Sequence, residues 1–434
     1  MPSRPLEQAL IVDPEHRQTL YILAWISANT GRLSRADSLR QRATGIVRRI
    51  PYDSNGVAEY LHRAASLNTA ALAAAVRLAA WRSDDRLRVA SQLASLLTDS
   101  TRRPRAERSI GHLFRGRIEA AAGRWGHAEA AFRDADAEGL ETALLEAGWL
   151  ASIPLLHIGA ERRRSIRDSL AMLSRPVAFI DLRRSLQSYN YLGLLEPWLV
   201  PHAHHYVLGL LSAGLGDELE STRYATLLHE AAEPSDSIGL LRDFSLEIRA
   251  LLVMQNGDPA AALAILDSAE MRVASQYQIF DSPFHMRPVT RILRAQALAS
   301  LGRDREALGW YAGLGWSIAP AEWVFLAQTN LAQGELYERL GEPERARYHY
   351  GRFIARWENA DSIQQPLVRD VRRRLARLEG VREAEGPYGD SGANLRESLP
   401  PATIALELSR RVRSEALQDR RRHRRSNTRH RTRG

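Results

Sequence analysis

Apolar residues recur along this 434-residue chain at the spacing of amphipathic helices, almost from one end to the other. The chain has no credible run of alternating apolar and polar residues of the kind that predicts a β-strand. Short breaks at 29–31, 256–259 and 341–343 are built from Gly, Asn, Asp, Glu, Thr and Pro, which are residues that interrupt helices. The sequence therefore predicts an all-α protein in which helices of roughly 12–16 residues alternate with tight turns.

One stretch near the C-terminal end, GELYERLGEPERARYHYGRF, carries a regular series of small and aromatic residues. The series consists of Gly334, Tyr337, Gly341, Ala346, Tyr350 and Phe353. A small residue at 334 lets one helix approach the next closely. Gly341 would end the first helix, because glycine adopts the left-handed conformation at little cost. Ala346 would then supply the tight contact on the second helix, and the stretch predicts a packed helix pair.

The same steps recur upstream, which makes the series far more specific than a single short motif. The glycines at the expected turns are Gly31, Gly123, Gly216, Gly257, Gly302 and Gly341. The small residues at the expected close contacts are Ala24, Gly116, Gly209, Ala250, Ala295 and Gly334. The long intervals between the first three glycines predict further, degenerate helix pairs.

This series resembles the tetratricopeptide repeat (TPR). The resemblance implies a TPR-like α-solenoid, a superhelix of antiparallel helix pairs, over residues 1–380, either as one array or as two sub-arrays, 1–195 and 196–380. Residues 364–378 are expected to form its capping helix. Residues 381–434 are expected to be a linker and a disordered, arginine-rich tail.

The beginning of the chain, residues 9–14 (ALIVDP), resembles the end of a second TPR helix with its terminal proline. We therefore hypothesise that the chain is the C-terminal part of a longer gene product, or that its first codon is misassigned. Similar TPR arrays form the C-terminal regions of large bacterial serine/threonine kinases and transcriptional regulators. A kinase or DNA-binding domain encoded upstream is thus a candidate partner.

The composition excludes several kinds of chemistry. All 60 basic residues are arginine, and the chain contains neither lysine nor cysteine. A phosphate-loop lysine, a Schiff base, a disulfide and a thiolate metal site are therefore excluded.

The net charge of +9 is concentrated at one end. Residues 420–434 hold eight arginines and no acid, which leaves 52 arginines against 51 acids in the rest of the chain. Three interpretations of the tail stay open: a solvated extension, an arm that binds nucleic acid or an acidic surface, and out-of-frame translation.

The resemblance also indicates which residues would bind a partner. In TPR proteins, residues of the first helix that flank the small position line a concave groove. The corresponding residues here are Tyr21, Trp25, Asn29, Tyr206, Phe244, Met254, Gln255, Gln296, Gln328, Glu335 and Glu338. Their mixture of aromatic rings, amides and acids suits an extended peptide or a helix, whereas an ordinary solvated surface is the alternative for any one of them.

Candidate catalytic and metal sites are weak by comparison. His202, His204 and His205 form the densest histidine group, but no third ligand from another helix is indicated, so ordinary residues near a helix start are favoured. We therefore predict a non-catalytic protein- or peptide-binding scaffold or regulatory module without a cofactor or metal. The alternative function is a nucleic-acid-associated helical-repeat protein that uses the tail. Without a membrane-length apolar stretch or a signal peptide, we expect a cytoplasmic location and no membrane partner.

Overall fold

A computed structural model of the chain describes residues 87–140, 142–153, 158–172, 198–232, 239–269, 283–314 and 320–385, together with single positions before residue 87. All the regular structure in these ranges is helical, and they contain no strand, as the sequence predicts. The helices of the first half are α1 (Leu87–Leu97), α2 (Arg105–Ala121), α3 (Trp125–Ala137), α4 (Thr142–Ser152), α5 (Ala160–Ala171), α6 (Val200–Gly214) and α7 (Glu218–Ala231).

The second half continues the same alternation, with two short insertions. Its helices are α8 (Leu240–Gln255), α9 (Pro259–Asp267), α10 (Pro283–Met286), α11 (Pro288–Ser300), α12 (Asp304–Gly313), α13 (Pro320–Trp323), α14 (Leu326–Arg339), α15 (Pro343–Trp357) and α16 (Gln365–Glu385). The short helices α10 and α13 come directly before α11 and α14. None of the described helices combines the length and the apolar character needed to cross a bilayer.

Five helix pairs share one type of turn. The first helix ends at Gly123, Gly216, Gly257, Gly302 or Gly341, whose φ angles lie between 70° and 84°. In each turn, the amide of the residue after the glycine donates to the carbonyl five residues earlier, as Glu342 does to Tyr337 at 2.9 Å. This is the Schellman pattern, which satisfies carbonyls at a helix end. The predicted turn glycines are thus confirmed at five positions, and Gly31 lies outside the described residues.

The predicted close contacts within the pairs are also present. A Cβ atom on Gly334 would lie 2.5 Å from the ring of Tyr350, and one on Gly116 would lie 2.6 Å from the ring of Phe132. Ala346, on the second helix of the last pair, is fully buried. The small residues therefore sit where two helices touch, which explains why the pattern requires them.

The order of contacts follows the order of the chain. Apart from the short helices α10 and α13, the helices pack against their neighbours in the chain, and α4, α6, α8 and α11 also pack side by side in succession, first helix of a pair against first helix of the next. Buried residues from α2 to α14 form one large core, and the last pair has a smaller core with α16.

The last helix of the described chain, α16, begins one residue after the predicted start and continues to Glu385. Val368 and Val371 are buried against α15, while Arg369, Arg372 and Arg373 face outward. This helix therefore extends over residues 381–385, which the sequence pattern assigns to the linker and tail. The rest of that segment lies outside the described residues.

Candidate functional site

Three of the predicted groove residues lie inside the protein instead of on an open face. Tyr206, Phe244 and Gln328 are 1%, 0% and 3% exposed, respectively. The rings of Tyr206 and Phe244 stack with their centroids 4.0 Å apart, so α6 and α8 cover each other at this point. The expectation that these three side chains line an accessible groove does not hold, because neighbouring parts of the chain already cover them.

Two further groove residues bind the helices that follow them. Arg374 of α16 donates to the Glu335 carboxylate at 3.0 Å, and the hydroxyl of Tyr350 donates to Glu338 at 2.6 Å. Burial raises the pKa of Glu335, although the charge of Arg374 opposes this effect. Both acids therefore help to hold α14 against α15 and α16.

Three more of the predicted residues are accessible, as Glu338 and part of Glu335 also are. Gln255 is exposed, and Met254 and Gln296 are partly exposed. Gln255 follows Phe244 by eleven residues, or about three helical turns, so it points to the same side of α8. Gln296 likewise follows Val289 by about two turns on α11. We call Met254, Gln255 and Gln296 the accessible face. Tyr21, Trp25 and Asn29 lie outside the described residues.

The buried part of the predicted groove is an aromatic cluster made by Trp149, Tyr206, Phe244, Phe284 and Phe325. Trp149 of α4 lies at its centre: its ring is 6.2 Å from that of Phe284 and meets Phe325 edge-on at 5.7 Å. Phe284 also meets Tyr206 edge-on at 6.3 Å. Rings from five separate parts of the chain therefore converge.

A polar cluster adjoins these rings. It consists of Asp243 and Glu247 of α8, Arg287 and Thr290 at the start of α11, and the hydroxyl of Tyr206. The Arg287 guanidinium donates from two nitrogens to Glu247, at 2.8 and 3.1 Å, and also binds Asp243. Thr290 and Tyr206 both donate to Glu247 as well.

The electrostatics of this cluster follow from its burial. Desolvation alone would lower the pKa of Arg287, but the carboxylates of Glu247 and Asp243 outweigh it and raise the pKa. Burial, followed by the charge of Glu247, raises the pKa of Tyr206 well above its usual value. Arg287 therefore stays charged and Tyr206 stays neutral.

Other buried ion pairs connect helices that are separated by one helix in the sequence. Arg117 of α2 donates to Glu146 of α4 from two nitrogens, at 2.5 and 2.8 Å. Arg291 of α11 donates to Glu322 of α13 at 2.5 Å. All four side chains are at most 7% exposed. In each pair the arginine offsets the charge of a buried carboxylate, so removing one partner would leave the other charge uncompensated.

The histidine group does not form a metal site in the described chain. His204 binds the carbonyl of Leu170 at 2.8 Å, and the ring of His205 lies 5.9 Å from that of Tyr224. Burial lowers the pKa of His205. Within the described ranges, no three His, Asp or Glu side chains come together in an arrangement that could hold a metal ion.

Reasoning from the repeats missed Phe284, Arg287 and Trp323. These residues lie in or beside α10 and α13, between repeat units, where the repeat pattern assigns no position. A signal was present, since Pro283, Pro288 and Pro320 each favour the first turn of a helix. The prolines predict where helices begin. They do not predict that the side chains of Phe284, Arg287 and Trp323 pack against earlier helix pairs.

Comparison with known proteins assigns no family to this chain. No protein-family model matches it, and neither a curated protein nor a solved structure matches it. The case for a function therefore depends on the residues and contacts described above.

Proposed function

We propose that the protein is a non-catalytic binding module, a TPR-like solenoid of helix pairs that receives a segment of a partner protein. The observation that carries the proposal is the recurrence of one glycine turn in five of the helix pairs. Repetition of one unit places equivalent positions of successive first helices side by side. Such a row of positions forms an extended surface that suits an extended peptide or a helix.

The accessible face is the part of this surface where a partner would bind. The amide groups of Gln255 and Gln296 can each donate and accept hydrogen bonds, so they can pair with a peptide backbone. Met254 adds a flexible apolar contact that adapts to different shapes. Because α8 packs against α11, these side chains come from neighbouring helices and could contact one continuous segment.

Site-specific photo-crosslinking in the full chain tests this proposal. A benzophenone amino acid would replace Gln255 in one variant and Gln296 in a second. A third, control variant would carry it in place of Glu230, an exposed residue on α7, a second helix of a pair. Each variant would be irradiated in cells of the source organism.

We expect protein adducts from positions 255 and 296 and none from 230. Equal adducts at all three positions would contradict a specific surface. Adducts with nucleic acid instead of protein would favour the alternative function, and no adducts at positions 255 and 296 would also count against the proposal.

A further inference from the structure

The short helix α10 lies among the first helices of three pairs instead of forming a pair of its own. Phe284 is 2% exposed, and its ring contacts those of Trp149 on α4 and Tyr206 on α6. At the other end of the segment, Arg287 reaches Asp243 and Glu247 on α8. Residues 284–287 thus contact three different helices, through the aromatic ring of Phe284 and the guanidinium group of Arg287.

The protein surface that contacts this segment contains two buried carboxylates, which require a positive charge nearby. Asp243 and Glu247 lie one helical turn apart on α8, and both are at most 1% exposed. Two buried carboxylates next to each other are strongly unfavourable without a positive charge to offset them. Whatever occupies this surface must therefore supply a guanidinium or an equivalent group, in addition to a ring that fits against Trp149.

The segment does not adopt its conformation through its own preferences. Arg287 has a φ of 49°, and it is the one residue other than glycine with a positive φ among those that the structure describes. A helix of four residues is also far too short to be stable alone. Unfavourable backbone conformations of this kind persist where surrounding contacts impose them, and they cluster at binding and switch segments.

We propose that residues 283–287 are an internal occupant of a peptide-binding site whose walls are Trp149, Tyr206, Asp243 and Glu247. The fitting partner carries an aromatic residue followed three positions later by arginine, and it displaces the chain's own segment. This inference rests on the proposed binding function and names the chemistry of the partner. The accessible face then guides the rest of the partner segment.

The test uses a synthetic peptide, PFHMRP, which reproduces residues 283–288, and the full-length chain with Phe284→Ala. Two control peptides replace the phenylalanine by alanine and the arginine by glutamine, respectively. Binding is measured by isothermal titration calorimetry, and far-UV circular dichroism checks that the variant is folded. The milder Phe284→Leu variant is measured in parallel.

We expect the folded variants to bind PFHMRP at least about tenfold more tightly than either control peptide, because each control lacks one of the two anchors. The wild-type chain should bind it more weakly than the variants, since its site is occupied. Equal binding of all three peptides, or no saturable binding by a folded variant, would overturn the proposal.

Failure of both variants to fold would also overturn the proposal, because a replaceable occupant cannot be indispensable for folding. Failure of the internal-occupant proposal can be distinguished from failure of the proposed binding function. If crosslinking at Gln255 and Gln296 finds a protein partner while the peptide does not bind, only the internal occupant is excluded.

Discussion

The indole nitrogen of Trp357 donates a hydrogen bond to the carbonyl oxygen of Ala121 at 3.3 Å, which joins two helices 236 residues apart in the chain. The amide of Asp361 donates to the Gly123 carbonyl at 3.0 Å, and the amide of Gly126 donates to the Asp361 carboxylate at 3.1 Å. The last helix pair therefore lies against the turn between α2 and α3. Trp323 of α13, stacked on Phe114 of α2 at 6.2 Å, adds a second long-range contact to α2.

This long-range contact should contribute strongly to stability. Trp357 is 1% exposed, so we expect Trp357→Ala to lower the free energy of unfolding by about 3–5 kcal/mol. Trp357→Phe keeps most of the ring and loses the donor, and should cost about 1–2 kcal/mol. Urea unfolding measures both. Tyr348→Ala, at a residue 42% exposed on the same helix, is the control and should change stability much less.

The glycine turns predict opposite effects of the same substitution at two nearby positions. Gly341 has a φ of 70°, so Gly341→Ala should destabilise the protein by about 1–2 kcal/mol. Gly351 lies within α15, where a Cβ would meet nothing within 4 Å, so Gly351→Ala should stabilise it by about 0.5–1 kcal/mol. Thermal unfolding compares the two. Equal shifts in the same direction would contradict the turn assignment.

The buried pair of Arg117 and Glu146 predicts strong coupling between the two residues. Arg117→Leu leaves a buried carboxylate without its cation, and we expect a loss of about 3–5 kcal/mol. The double variant Arg117→Leu/Glu146→Leu removes both charges and should be more stable than Arg117→Leu alone. A double-mutant cycle in urea measures the coupling. Additive single effects would indicate that the two side chains do not interact in solution.

The environment of His349 predicts a dependence of stability on pH. Burial, followed by the charges of Arg352 and Arg345, lowers the pKa of His349 to about 4, below the value of about 6.5 in the unfolded chain. At pH values between these two pKa values, the unfolded chain binds a proton at His349 that the folded chain does not bind. The contribution of His349 to stability is therefore fully present above about pH 6.5, and it is lost progressively as pH falls towards 4.

His349 alone should lower the free energy of unfolding by up to about 1.4 kcal/mol for each unit by which the pH falls in this range. The measurement is the free energy of unfolding in urea at pH 7, 6 and 5 for the wild type and for His349→Gln. The variant should show a shallower decline. Identical declines would mean that His349 is protonated equally in both states.

The helix pairs could be predicted from the sequence because their determinants are local. Gly341 and Gly334 act within a few residues or between adjacent helices, and their spacing records that geometry directly. The accessible and buried parts of the groove could not be separated in the same way. Phe244 lies on the predicted side of α8, but its burial depends on Tyr206 of a different helix pair.

The contacts between distant parts of the chain are not marked by a local pattern in the amino-acid sequence. The position of Trp357 next to Ala121 depends on how all the intervening helices pack, which no short stretch of the sequence encodes. Phe284 and Arg287 lie between helix pairs, where the sequence predicts only that a helix begins. Only the assembled structure brings these residues together.

The position of the last pair against α2 and α3 can be tested directly, because it brings together helices 236 residues apart in the chain. The chain has no cysteine, so a pair can be introduced cleanly as Gly126→Cys and Ser362→Cys, with Gly126→Cys and Gly380→Cys as the control pair. A Cβ on Gly126 meets nothing within 4 Å, and Ser362 is exposed next to Asp361. The measurement is the yield of intrachain crosslink with a short bismaleimide under native conditions. We expect efficient crosslinking of 126 to 362 and little of 126 to 380, whereas equally low yields for both pairs would contradict the position of the last pair against α2 and α3.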